Sequence, residues 1–92
     1  MKPHLERAHQ FWKRHLKATD HVIDATCGNG KDTAILAELV PEGHVYAIDI
    51  QQDAIEKARA YIQSKNVTFL HRCHTHLPEV QEVRLIVYNL GY

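Results

Sequence analysis

Several common signatures are missing from these 92 residues, and each absence removes a class of answer. No apolar run approaches the roughly 18 residues that cross a bilayer, and no apolar core of the signal-peptide kind follows Met1. The expected location is therefore the cytoplasm, with no membrane partner. Two cysteines, Cys27 and Cys73, are too few for a disulfide framework, and both are expected to be reduced. Neither sign of charge dominates, since eleven Lys and Arg balance eleven Asp and Glu. There is no repeat, linker or low-complexity tract. At 45% hydrophobic and 24% charged, the chain reads as ordinary globular material. A chain of this size makes one domain at most and buries only about 60–65% of its unfolded surface.

The balanced charge is unevenly placed. Residues 1–17 carry Lys2, Arg7, Lys13, Arg14 and Lys17 against Glu6, a net +4, which leaves −4 on the remainder. Leu5, Ala8, Trp12 and Leu16 recur there at spacings of three and four, the apolar face of an amphipathic helix. A basic helix of this kind can track RNA phosphates. Most of these charges nevertheless read as the solvated face of a helix that packs through Trp12.

Chemistry enters at Asp24-Ala25-Thr26-Cys27-Gly28-Asn29-Gly30, which follows the apolar Val22-Ile23 and precedes a helical run from Lys31. Nineteen residues after Gly30, a second apolar stretch, His44 to Ile48, ends on Asp49. Strand, glycine turn, helix and a second strand with a terminal acid form the layout of a nucleoside-binding βαβ unit. Glycine lets the backbone turn sharply and approach a ligand, and an acid at the second strand end can accept hydrogen bonds from both ribose hydroxyls.

What the motif lacks narrows the ligand. A dinucleotide site wants a third glycine or alanine where Thr33 stands, and Asp32 in the first helical turn would repel a pyrophosphate. A P-loop is excluded because Gly30-Lys31 is not followed by Ser or Thr, and Ala25 replaces its first glycine. S-adenosylmethionine has a ribose and an amino-acid tail but no phosphate. Asp24 can bind its ammonium group, and the open Gly28-Asn29-Gly30 backbone can face its methionine part. The bland alternative is an α/β turn whose glycines serve geometry alone.

After the first helix, the pattern places strand one at about 21–25, a helix at 32–40 and strand two at 44–50. A second helix follows at 53–64, then strand three at 67–71 and strand four at 84–89. In the helix over 32–40, Ala34, Ile35, Ala37 and Leu39 are expected to face inward. Asp53 is the expected N-cap of the next helix, with Ile55, Ala58 and Ile62 on its core face. Asn66 is expected to supply left-handed geometry after it. Such alternation with short loops argues for a parallel sheet with right-handed crossovers.

VIDATCGNGKDT (Val22 to Thr33), PEGHVYAIDIQ (Pro41 to Gln51) and NLGY (Asn89 to Tyr92) together resemble the class I S-adenosylmethionine-dependent methyltransferases. More narrowly they are similar to a small bacterial group labelled rRNA methylases, members of which are assigned to methylation of 5-aminomethyl-2-thiouridine at the tRNA wobble position. The resemblance runs along nearly the whole chain but covers only the N-terminal half of that family's domain. It implies a Rossmann-like α/β fold in which residues 1–92, with an amphipathic helix over 1–17, form the cofactor-binding part of one domain. The sheet would be a four-stranded parallel 3-2-1-4 half with flanking helices. It implies S-adenosylmethionine bound through Asp24, Thr26, Cys27, Gly28, Asn29, Gly30, Asp32, Thr33, Asp49, Ile50, Gln51, His74 and Asn89.

Asn89-Leu90-Gly91-Tyr92 stands where class I amino-methyltransferases carry (Asp/Asn)-Pro-Pro-(Tyr/Phe), with Leu90 and Gly91 in place of the prolines. Asn89 would accept protons from a target amine and Tyr92 would stack on its base. His71-Arg72-Cys73-His74-Thr75-His76 has enough donors for zinc, but neighbours in one short segment rarely converge on a tetrahedron, so no metal is expected. His74 fits the histidine that the family carries after strand three and suits acceptance of the departing amine proton. Arg72 stands where the family has an acid.

Two readings of function remain open. One is an RNA methyltransferase that N-methylates the 5-aminomethyl group of wobble uridine in tRNA. The other is an S-adenosylmethionine-binding half domain without turnover of its own. NAD-dependent reduction is disfavoured by Thr33 and by the lack of a suitable His or Lys constellation. The resemblance also implies seven strands in a complete domain, of which this sequence supplies four. An unpaired, apolar strand-four edge would then be exposed, and a homodimer through it, weak cofactor binding and little methyl transfer are expected of this chain alone.

Overall fold

A computed structural model describes residues 3–73 and 75–88; His74, Asn89 and Tyr92 lie outside the described residues. The elements are α1 (Pro3–His15), β1 (His21–Asp24), α2 (Lys31–Leu39), β2 (His44–Asp49), α3 (Gln52–Tyr61), β3 (Val67–His71) and β4 (Val83–Val87). The strands form one sheet in the order β3-β2-β1-β4, and every neighbouring pair is parallel. Parallel pairing follows from the crossovers, because α2 and α3 carry the chain back from β1 to β2 and from β2 to β3. The longer connection between β3 and β4 does the same for the last strand.

Alternation along the strands sorts the core into two sides. Val22, Val45 and Val87 pack with Trp12 of α1 and with Leu36, Ala37 and Val40 of and after α2. Ala47 joins Cys27, Ala58 and Ile62 beside α3. Ile23, Ala25 and Ile48 gather on the other side with Tyr46, Leu70, Leu77 and Val83. The three described helices therefore cover one face, and the segment carrying Leu77 reaches the other. Trp12, at 6% exposure, anchors α1 to this core. No helix among the described residues is long and apolar enough to cross a membrane.

The element order is as expected, while several boundaries and faces differ. β1 stops at Asp24, although the Ala25 N–H still donates to the Val87 carbonyl at 2.8 Å. On α2 the buried residues are Thr33, Leu36 and Ala37, whereas Ala34, Ile35 and Leu39 are only partly covered. The α2 face is rotated from the expected one because Thr33, though polar, is drawn inside by a carboxylate partner described below. α3 begins at Gln52 behind an extended Gln51, so Asp53 is a first-turn acid and not the N-cap. Its core face is as expected, with Ile55 and Ala58 buried and Ile62 buried just past its end.

Asn66 does not adopt left-handed geometry; Glu82, at φ 58°, is the one non-glycine with positive φ among the described residues. The Asn66 side-chain amide instead donates to the carbonyls of Ala37 and Val40 at 3.0 and 2.9 Å. It thus satisfies acceptors that the end of α2 leaves open. β4 runs over Val83–Val87, starting one residue before the expected span and ending two before it, with a register shift against β1 at its start.

Candidate functional site

The carboxyl ends of β1 and β2 meet at the glycine turn. The Cys27 N–H donates to the Ile48 carbonyl at 2.7 Å, which ties the turn to β2, and the Gly30 N–H closes it onto the Cys27 carbonyl at 3.0 Å. Asn29 then accepts the Lys31 N–H at 3.1 Å, satisfying one of the free donors at the start of α2.

The two glycines do different work. Gly28, at φ 55°, has no atom within 4 Å of where a Cβ would project, so this side of the turn is open for a ligand. Gly30, at φ 89°, faces α3, and a Cβ there would lie 3.0 Å from the Ala58 Cβ and 3.1 Å from the Ile62 Cδ1. The first glycine opens the pocket, and the second lets α2 and α3 close up behind it.

Asp49, at the end of β2, is the organising acid. One carboxylate oxygen accepts the Gly28 N–H at 2.8 Å and the other the Gln51 N–H at 2.9 Å. An ionised carboxylate has about four acceptor positions, so roughly two remain for further donors. Ile50 follows at 64% exposure, an exposed apolar side chain between Asp49 and Gln51. The Arg72 N–H donates to the Asp49 carbonyl at 3.1 Å, which brings the β3–β4 connection alongside. A cavity of about 320 Å³ adjoins Gly28 and Gln51, the two residues whose N–H groups Asp49 accepts, and Asn29, Asp53, Ala54 and Lys57 complete its lining. A smaller, more apolar groove of about 180 Å³ between α1 and β4, formed by Phe11, Trp12, His15, Leu16, Arg84 and Leu85, lacks such convergent polar groups.

Asp24 sits beneath the turn with no exposed surface. It accepts the Thr33 hydroxyl at 2.6 Å and the Thr26 N–H at 3.2 Å. Burial pushes its carboxyl up to about 6, against the opposing pull of those two hydrogen bonds, and the nearby Asp32 and Asp49 charges push the same way as burial. In this arrangement Asp24 braces the turn, and an ammonium group would reach it only if the turn opened. Cys27 is buried beside it, and burial pushes its thiol up to about 11, so it stays protonated and unreactive.

Asp32 is held by the His9 ring, Nε2 lying 3.0 Å from its carboxylate, and that ring packs at 5.0 Å from Trp12. His71 reaches the Ile50 carbonyl through Nε2 at 2.8 Å, and His76 lies 3.4 Å from the Thr75 hydroxyl. The structure thus gathers Thr26, Cys27, Gly28, Asn29, Gly30, Asp49, Ile50 and Gln51 around one turn, with Asp24, Asp32 and Thr33 forming its support. Of the residues proposed for the reaction itself, Asn89, Tyr92 and His74 all lie outside the described residues. Sequence reading missed the Thr33–Asp24 and His9–Asp32 contacts; a hydroxyl nine residues after a strand-end acid was the only trace of the first.

The fold and the sequence are matched by known proteins. The profile of a family described as "Methyltransferase domain" matches residues 16–89. The chain belongs to that methyltransferase family. A tRNA (mnm5s2U34)-methyltransferase, chloroplastic, from Arabidopsis thaliana is 38% identical over 104 residues, covering 95% of this chain and 38% of that protein. The crystal structure of an rRNA methylase from Streptococcus thermophilus superposes with a TM-score of 0.88 at 34% identity, covering 99% of this chain and 57% of the other. A candidate methyltransferase from Streptococcus mutans, solved in complex with SAH, gives 0.83 at 34% identity, covering 100% and 54%. This methyltransferase chain therefore spans well under half of the plant relative and just over half of the two bacterial structures. The expected Rossmann-like, four-stranded 3-2-1-4 portion of a class I methyltransferase sheet is what the structure contains. None of the comparisons supports the homodimer expected through β4.

Proposed function

We propose that residues 1–92 form the cofactor-binding part of an S-adenosylmethionine-dependent RNA methyltransferase domain. The observation that carries this reading is Asp49. Its carboxylate is fixed by two backbone N–H groups, beside the open face of Gly28, and retains acceptor capacity for a ribose diol. Asp32 near the start of α2 opposes a phosphate at that helix terminus, which favours a nucleoside without phosphates. The Streptococcus mutans relative, solved with SAH, supports the same choice.

Bound there, S-adenosylmethionine supplies an electrophilic methyl group on a sulfonium centre. The chain's own part is to hold and aim. Asp49 binds the ribose, Ile50 offers an apolar surface to the adenine, and the turn from Thr26 to Gly30 holds the methionine end. Asn89 and Tyr92 are proposed to place an exocyclic amine of the RNA in line with the methyl group, so that most of the rate enhancement is positioning. His74 is proposed to accept the proton that the amine loses. The finer substrate, the 5-aminomethyl group of wobble uridine in tRNA, is supported by the name of the Arabidopsis relative. A cytoplasmic setting stays part of the proposal.

A second reading is a cofactor-binding half domain without turnover of its own, since the groups gathered around the glycine turn and Asp49 are suited to holding a cofactor. Tritium transfer from labelled S-adenosylmethionine into bulk bacterial tRNA separates the two. Label in tRNA supports the enzyme. Cofactor binding without label supports the half domain.

A further inference from the structure

The outer face of α1 carries a group of exposed cations, the last of which, Lys17, donates its backbone N–H to the Asp20 carboxylate at 2.7 Å. Arg7, Lys13 and Arg14 are exposed on the helix, and Lys17 is exposed just beyond its end. None of the four forms an ion pair among the described residues. Arg7, Gln10 and Arg14 recur at intervals of three and four, a single stripe on the side away from the buried Trp12, and Lys17 follows just past the helix. From Arg7 to Arg14 the stripe covers about 10 Å at the helical rise.

This helix is fixed at the cofactor end of the sheet. His9 meets Asp32 in the first turn of α2, two residues after Gly30, and its ring packs against Trp12. The stripe therefore lies on a helix tied at its middle, through His9, to the first turn of α2 that follows the glycine turn. The remainder of the chain carries a net charge of −4, so the excess of positive charge is concentrated on this segment.

We propose that this outer face of α1 is the surface on which the RNA backbone lies on its way to the cofactor pocket. The proposal rests on the RNA methyltransferase reading given above. RNA fits better than an anionic membrane because the apolar side of α1 packs on the core. This leaves Phe11, at 53% exposure, as the single large apolar side chain exposed on the helix among the described residues, where it can stack on a base. Trp12 is buried, Ala8 and Leu16 pack against the same cluster, and an interfacial helix needs that face free to enter lipid. A strand of phosphates needs only the cations.

The test is Arg7→Ala/Arg14→Ala/Lys17→Ala in the otherwise unaltered protein, with binding to bulk tRNA measured across a salt series. Titration with SAH, thermal melting and binding to phosphatidylglycerol vesicles accompany it. The proposal expects parent-like SAH affinity and melting, at least tenfold weaker tRNA binding at low salt, and a log–log salt slope shallower by about 2 to 3. It expects no vesicle binding by either protein. An unchanged slope in a variant whose parent binds tRNA would overturn the proposal and leave the methyltransferase reading standing. Vesicle binding by the parent that the variant loses would assign the face to a membrane and overturn it as well. A parent that binds SAH but no tRNA would remove the RNA reading and this surface together.

Discussion

The Thr33 hydroxyl donates to the Asp24 carboxylate at 2.6 Å, with both residues fully buried, and this contact joins the end of β1 to the first turn of α2 beneath the glycine turn. A buried acceptor that loses its donor costs about 1–3 kcal/mol. Thr33→Val should therefore destabilise the fold by that amount near neutral pH, and by less at pH 4, where Asp24 is protonated and needs the donor less. Urea unfolding at the two pH values measures the difference. Equal stability of variant and parent at neutral pH would show that the contact does not brace the turn.

Asp24 also makes stability depend on pH. Its carboxyl, at about 6 in the fold against an ordinary 3.8, holds a proton more tightly folded than unfolded. Protonation thus favours the fold, and the contribution is fully present below about pH 4 and lost as pH rises through about 6. The whole effect amounts to about 3 kcal/mol. Asp24→Asn removes it, so the stability of the parent should fall relative to the variant by about that much between pH 4 and 7. A difference that stays constant over this range would show that Asp24 ionises as in the unfolded chain.

The two glycines of the turn should separate under mutation. Gly30→Val pushes a side chain into Ala58 and Ile62 at an already unfavourable φ, and should lower the melting temperature sharply. Gly28→Ala meets no protein atom, so its effect on stability is backbone strain of about 1–2 kcal/mol, while its methyl group enters the pocket. It should keep the fold and lose SAH affinity. Thermal melts with and without SAH distinguish the pair, and equal ligand-induced shifts in Gly28→Ala and the parent would place the ligand elsewhere.

Glu82, at φ 58° just before β4, holds a backbone conformation that glycine adopts without penalty. Glu82→Gly should raise stability by up to about 1 kcal/mol, the strain relief exceeding the added freedom of the unfolded chain. Chemical denaturation checks this, and a loss of stability would mean that the Glu82 side chain makes contacts worth more than the strain.

The fold and the line of the pocket were legible because they are written in spacing. Asp24, Gly28, Gly30 and Asp49 stand at the ends of two apolar runs around one helix, and period and position alone bring them together. The helix limits were less legible because tertiary contacts overrule local preference. Asp49 accepts the Gln51 N–H and starts α3 close behind β2, which leaves no room for Asp53 as a cap. Contacts between distant residues were not legible at all. His9 and Asp32 are 23 residues apart and Asn66 reaches carbonyls 26 and 29 residues back, and no periodicity reports either pairing.

The central claim is that Asp49 and the open turn hold the ribose of S-adenosylmethionine. Charge-assisted hydrogen bonds of this kind contribute about 1.5–3 kcal/mol each. Calorimetric titration of SAH into the parent and into Asp49→Ala, with NAD as the competitor ligand, tests the claim most directly. The account predicts saturable SAH binding by the parent, at least tenfold weaker binding by a folded Asp49→Ala, and no binding of NAD. Equal SAH affinity in the two proteins, or NAD bound in preference to SAH, would contradict it.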